Sequence, residues 1–186
     1  MKIKLSFLLL LFFTFSAAEK TTFENINIYS EQPEFAEDLA KNLSQDIFDF
    51  QKKIGKYPEF PINIYIAADK KQFQKWVGEN SGIIEHSQAF YNSKSKAIFA
   101  RNLSEIRSVS RMRKLLLHEY IHAFVRQYWQ KGPLWFNEGL AVYFAGELDI
   151  NREINFVKEY IMGKSVPLWQ MKYNYPKQRI NVESFY

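Results

Sequence analysis

Between Val109 and Trp129 a long apolar run with helical spacing carries His118-Glu119-Tyr120-Ile121-His122, two of only three histidines in the chain. Nothing else in the sequence restricts the fold so tightly, because ionisable side chains are seldom buried without partners. On an α-helix, positions i and i+4 lie one above the other on the same face. His118 and His122 can therefore offer two imidazole nitrogens to one ion. Glu119, about 100° further round the helix, sits beside that ion without having to bind it.

The beginning of the chain reads differently. Lys2 and Lys4 make a charged start, Leu5 to Phe15 is almost unbroken apolar, and Ser16-Ala17-Ala18 is a small-residue exit. This is the pattern of a secretory signal peptide, residues 1–18, cleaved after Ala18. The apolar run is shorter than the roughly 20 residues of a membrane-spanning helix, so stable membrane insertion after cleavage is not expected; an uncleaved anchor is the alternative. No cysteine is present, which removes a lipid anchor near the cleavage point, disulfides and cysteine-based zinc sites alike. Residues 19–186 fit a single domain held by burial, exported to the periplasm or the medium and expected to be a monomer. The formal charge is +5, and without Lys2 and Lys4 it is +3, with 23 basic against 20 acidic residues. That is too mild and too scattered for nucleic acid. Arg107, Arg111, Arg113 and Lys114 read as the wet face of the helix leading into the histidines, without the interleaved aromatics of a nucleic-acid site.

Phe23 to Tyr29 alternates and is expected to form one strand. Pro33 suits the first turn of a helix, whose apolar stripe is Phe35, Leu39, Leu43, Ile47, Phe50 and Ile54 and whose C-cap is Gly55. Pro61 opens a strand, Ile62 to Ile66. Asp69 caps a short helix with Gln72 in the capping-box position, Phe73, Trp76 and Val77 facing inward, and Gly78 stopping it. Gln88–Tyr91 and Ala97–Ala100 form a hairpin around Asn92-Ser93-Lys94-Ser95. Helices are then expected over Val109–Trp129, Leu134–Glu147 and Asn151–Met162, the first closed by Gly132-Pro133 and the last by Gly163. Ser165 to Gln178 reads as irregular. Strands with helices come first and helices after, so the fold class is α+β, a small N-terminal sheet followed by a helical half that carries the histidine motif.

Two histidines holding zinc, with the intervening glutamate as general base, is a known route to peptide hydrolysis. Catalytic zinc takes three protein ligands and leaves a fourth position for water. The candidate for the third is Glu138, in Pro133-Leu134-Trp135-Phe136-Asn137-Glu138-Gly139-Leu140-Ala141, 16 positions after His122. The Gly132-Pro133 turn would fold its helix back onto the first. HEYIH followed by PLWFNEGLA resembles the gluzincin peptidases, most closely the small secreted domains of the peptidase MA-like family, over essentially all of residues 19–186. The resemblance implies a zincin-like fold and Zn2+ held by His118, His122 and Glu138. It implies Glu119 as the base that takes a proton from the activated water, and Phe90–Ala100 as the edge beside which an extended peptide docks.

The chain departs from that family in places. Domains of that family often carry an acidic residue one turn after the third ligand, where Val142 stands here; Glu147 and Asp149 are the candidate substitutes. Asn137 has two readings, a group orienting a ligand or a helix-start cap. An oxyanion-stabilising Tyr would come from Tyr173, Tyr175 or Tyr186. The sequence ends at Asn181–Tyr186, where such domains begin a further closing helix, so a shortened C-terminus is expected. His86 reads as a surface histidine, since three ligands exist without it. Trp129, Trp135, Phe136, Tyr143 and Phe144 are expected in the core between the last two helices. The expected function is an exported zinc-dependent metallopeptidase acting on a peptide or protein substrate; the alternative is an inactive zinc- or peptide-binding relic of the same fold.

Overall fold

The computed structural model describes residues 18–58, 60–79, 87–129 and 132–148, with 154, 157, 158 and 161–163 beyond them. Among the described residues the elements follow one another as β1 (Glu19–Phe23), β2 (Ile26–Ser30), α1 (Pro33–Ile54), β3 (Ile62–Ile66), α2 (Lys70–Glu79), β4 (Ala89–Asn92), β5 (Ala97–Ala100), α3 (Leu103–Ile106), α4 (Val109–Tyr128) and α5 (Leu134–Phe144). The sheet is mixed, in the order β1-β2-β3-β5-β4. β2, β3 and β5 run parallel, while β1 and β4 are antiparallel to their neighbours at the two edges. This is the α+β class the sequence points to.

Alternation along the strands sends one set of side chains to the helical face. Ile26, Ile28, Ile62, Ile64, Ile66 and Ile98 meet Leu39, Leu43, Ile47 and Phe50 of α1 and Met112, Leu116, Tyr120 and Phe124 of α4 in one core. The opposite face carries Tyr29, Tyr65 and Phe99, stacked in a row, with Phe73 and Trp76 of α2 packed on Phe90 and Phe99. Inside the core Gln51 donates to the Tyr120 hydroxyl at 2.7 Å, joining α1 to α4. No helix among the described residues is long and apolar enough to cross a membrane.

Several elements differ from their sequence expectations. Phe23 to Tyr29 is not one strand but parts of two. Phe23 pairs with Ile26 across a two-residue turn, with Glu24 at φ 51°. Glu24-Asn25 contains neither Gly nor Pro, so alternation runs through it without a break. α2 passes through Gly78 and reaches Glu79. A short helix, α3, precedes α4, started by Asn102, whose side chain accepts from the Glu105 amide. α5 ends at Phe144 rather than Glu147. Trp129 and Tyr143 are not core residues: they are 42% and 65% exposed, whereas Phe144 does pack inward, on Phe50. Of the helix expected over Asn151–Met162, the residues described are helical as far as Ile161, and Gly163 follows at φ 67°. Asp149, His86, residues 165–178 and Tyr173, Tyr175 and Tyr186 lie outside the described residues, as do residues 1–17.

Candidate metal centre

α4 begins where Ser108 accepts the Arg111 amide, and its middle is buried on nearly every side, from Leu116 to Val125. His118 and Glu119 are carried into that interior, 6% and 8% exposed. Their neighbour across the site is α5, which starts after Pro133 and holds Glu138 at 2% exposure. One carboxylate oxygen of Glu138 lies 3.5 Å from His118 Nε2 and 3.6 Å from His122 Nε2. The two imidazoles stand edge to face, 4.7 Å between centroids. All three donor atoms fall within 4.8 Å of one another. Tetrahedral zinc with bonds near 2.0–2.1 Å spaces its ligand atoms by about 3.4 Å, so the donor set fits a small divalent ion.

The far nitrogens of both rings are also held. His122 Nδ1 lies 3.0 Å from Asn137 Oδ1, and His118 Nδ1 lies 3.3 Å from Glu147 Oε2. With Nδ1 donating to Asn137, His122 Nε2 is left with its lone pair toward the shared point, while His118 Nδ1 meets Glu147 as a close ionic contact rather than a hydrogen bond. Asn137 therefore faces His122 rather than capping α5, whose N-cap position belongs to Pro133 with no side-chain cap. Val142 is buried at 3% exposure, and Glu147 is the acidic side chain that faces His118 Nδ1. It gets there through a Schellman turn. Gly146, at φ 64°, donates to the Tyr143 carbonyl and Glu147 to that of Val142, while Lys114 Nζ ties the Gly146 carbonyl to α4 at 2.6 Å.

Burial and neighbouring charge oppose each other in this cluster. Burial pulls the His118 pKa down but is outweighed by Glu138, Glu147 and Glu119, which together push it up to about 10. Burial raises the Glu119 pKa, opposed by His122, His118 and the Tyr91 amide. That amide, on edge strand β4, donates to Glu119 Oε2 at 2.8 Å. Glu119 thus points away from the three donor atoms' shared ligand role and toward the sheet edge. Sequence spacing located His118, Glu119, His122 and Glu138; the contact between Glu119 and β4 had no local signal. No protein-family model, curated protein or solved structure matches the chain, so the chemistry of the site is argued from its own geometry.

Proposed function

We propose that this chain is an exported, zinc-dependent metallopeptidase of gluzincin type. The observation that carries the reading is the convergence of His118, His122 and Glu138 from two helices, with the Glu119 carboxylate beside them and fixed to an edge strand. Zinc is preferred because two imidazoles and one carboxylate, buried and with their outer partners in place, match its hydrolytic donor sets. When bound, the ion supplies a Lewis acid and acidifies adjacent water.

The rest falls to the chain. Glu119, its pKa raised by burial, accepts a proton from the attacking water and returns it to the leaving amine. The Tyr91 amide holds one carboxylate oxygen and so fixes the direction in which the base acts. β4 lies at the sheet's edge, next to α4, and offers an extended peptide a strand to pair with. Alternation in an antiparallel pair turns the Gln88 carbonyl to the β5 side, where it accepts from Arg101, and the Tyr91 amide to the outer edge, where Glu119 already takes it; a peptide would pair with the remaining outward groups of β4. Export rests on residues 1–18.

The test is zinc stoichiometry together with cleavage of a broad peptide library by the wild type and Glu119→Gln. One zinc per chain in both, with cleavage only in the wild type, is the expected result. Zinc in both and cleavage in neither identifies the inactive relic, and no zinc at all overturns the metal reading.

A further inference from the structure

Arg126 stands one turn beyond His122 and two turns beyond Glu119 on α4. Seven residues bring an α-helix back to within about 20° of its starting direction, so Glu119 and Arg126 share a stripe, about 10 Å apart along the axis. That stripe faces β4, since Glu119 is bonded to the Tyr91 amide. The Tyr91 ring lies on the same side of the sheet and packs against the core. Burial, the larger influence, raises its phenol pKa, while the nearby charge of Arg126 pulls it down. Arg126 therefore borders the cleft between α4 and the edge strand.

Its side chain is exposed. Arg101 and Arg113 each meet a carboxylate, at 3.4 Å and 2.7 Å, but among the described residues none lies within 4 Å of Arg126. Helical side chains lean toward the N-terminus, which carries the guanidinium back toward the metal-binding turn. An extended peptide along β4 advances about 3.4 Å per residue, so the reach from Glu119 to this guanidinium spans about two to three residues.

We propose that Arg126 is a specificity-determining residue of the cleft, selecting peptides with a carboxylate about two to three residues from the bond to be cut. The carboxylate is an Asp or Glu side chain or the peptide's own C-terminus; both fit the planar fork of a guanidinium. The inference rests on the metallopeptidase reading.

The experiment uses the zinc-loaded full chain and N-acetylated decapeptides with Glu or Gln at each position in turn, the C-terminus free or amidated. Cleavage is followed by mass spectrometry in wild type, Arg126→Ala, Arg126→Lys and Arg126→Glu. A partly exposed charge-assisted pair should favour Glu over Gln by about fivefold to tenfold in kcat/KM at one position. The ratio should fall toward one in Arg126→Ala, persist in part in Arg126→Lys and invert in Arg126→Glu. A preference for the free over the amidated terminus, lost in Arg126→Ala, identifies the terminal carboxylate instead. A wild type indifferent to charge, or a preference that survives Arg126→Glu, overturns the inference while leaving the hydrolase reading intact. If nothing is cleaved, that reading fails by itself. The same peptides, fluorescently labelled and titrated onto wild type and Arg126→Ala, then decide: tighter binding of the Glu or free-acid forms, lost in the variant, upholds the carboxylate site, and equal binding overturns it.

Discussion

In a Glu147→Ala variant His118 keeps its place on α4 but loses the oxygen 3.3 Å from its Nδ1. Both partners are well buried, with side chains 8% and 18% exposed, so water is a poor substitute for the missing carboxylate. Removing an outer partner of a metal-bound histidine weakens binding by about 10- to 100-fold, or about 1.4–2.7 kcal/mol. A second effect works the other way. Glu147 also helps hold a proton on His118 in the metal-free protein, and that proton competes with the ion. The wild type carries this competition up to about pH 10, whereas the variant sheds it at lower pH. The deficit in zinc affinity should therefore widen with pH, from about tenfold at pH 7 toward the hundredfold end of the range by pH 9. Competition against a chromophoric chelator measures it. Gly146→Ala is the companion variant: its Cβ would meet only Lys114 Nζ, at 3.9 Å, so its cost is the left-handed backbone alone, about 1–2 kcal/mol. It should lower Tm by several degrees and loosen zinc less than Glu147→Ala does. Equal zinc affinity in Glu147→Ala and wild type at both pH values would refute the role assigned to Glu147.

Two further expectations follow from the same buried groups. The folded-state pKa of His118 in metal-free protein is raised, from 6.5 to about 10, so its stabilisation is fully present below pH 6.5 and is lost as pH rises through 10. Calorimetry with EDTA should show Tm falling between pH 7 and 10 as up to about 4 kcal/mol of stability is lost; a flat profile contradicts the paired imidazolium. Tyr120→Phe strips the acceptor from the buried Gln51 amide and should cost about 1–3 kcal/mol. Adding Gln51→Leu should recover part of that loss, and strict additivity in chemical denaturation would show that the bond contributes nothing.

Spacing carried the sequence a long way here because a helix turns spacing directly into direction. His118, His122 and Glu119 needed only the 3.6-residue repeat, and Glu138 needed one further inference, that Gly132-Pro133 reverses the chain. What escaped was set by turns. Glu24-Asn25 makes a hairpin with no glycine or proline to mark it, Asn25 being its one turn-favouring residue, and Glu147 reaches His118 only because Gly146 takes a left-handed conformation just past the end of α5. A glycine in that position is itself a stop signal, and reading the helix through it to Glu147 left the second carboxylate without a geometry. Asn137 stayed undecided for a related reason: its position near the start of α5 suited a cap, and only the closeness of α4 gave it His122. The contact between Glu119 and Tyr91 is harder still, joining residues 28 positions apart through the docking of α4 beside an edge strand. No local pattern encodes such docking. It follows from how the buried faces of α1, α4 and the sheet pack, and the hydrolytic reading depends on it as much as on the ligands, because a base without a fixed direction has no preferred substrate face.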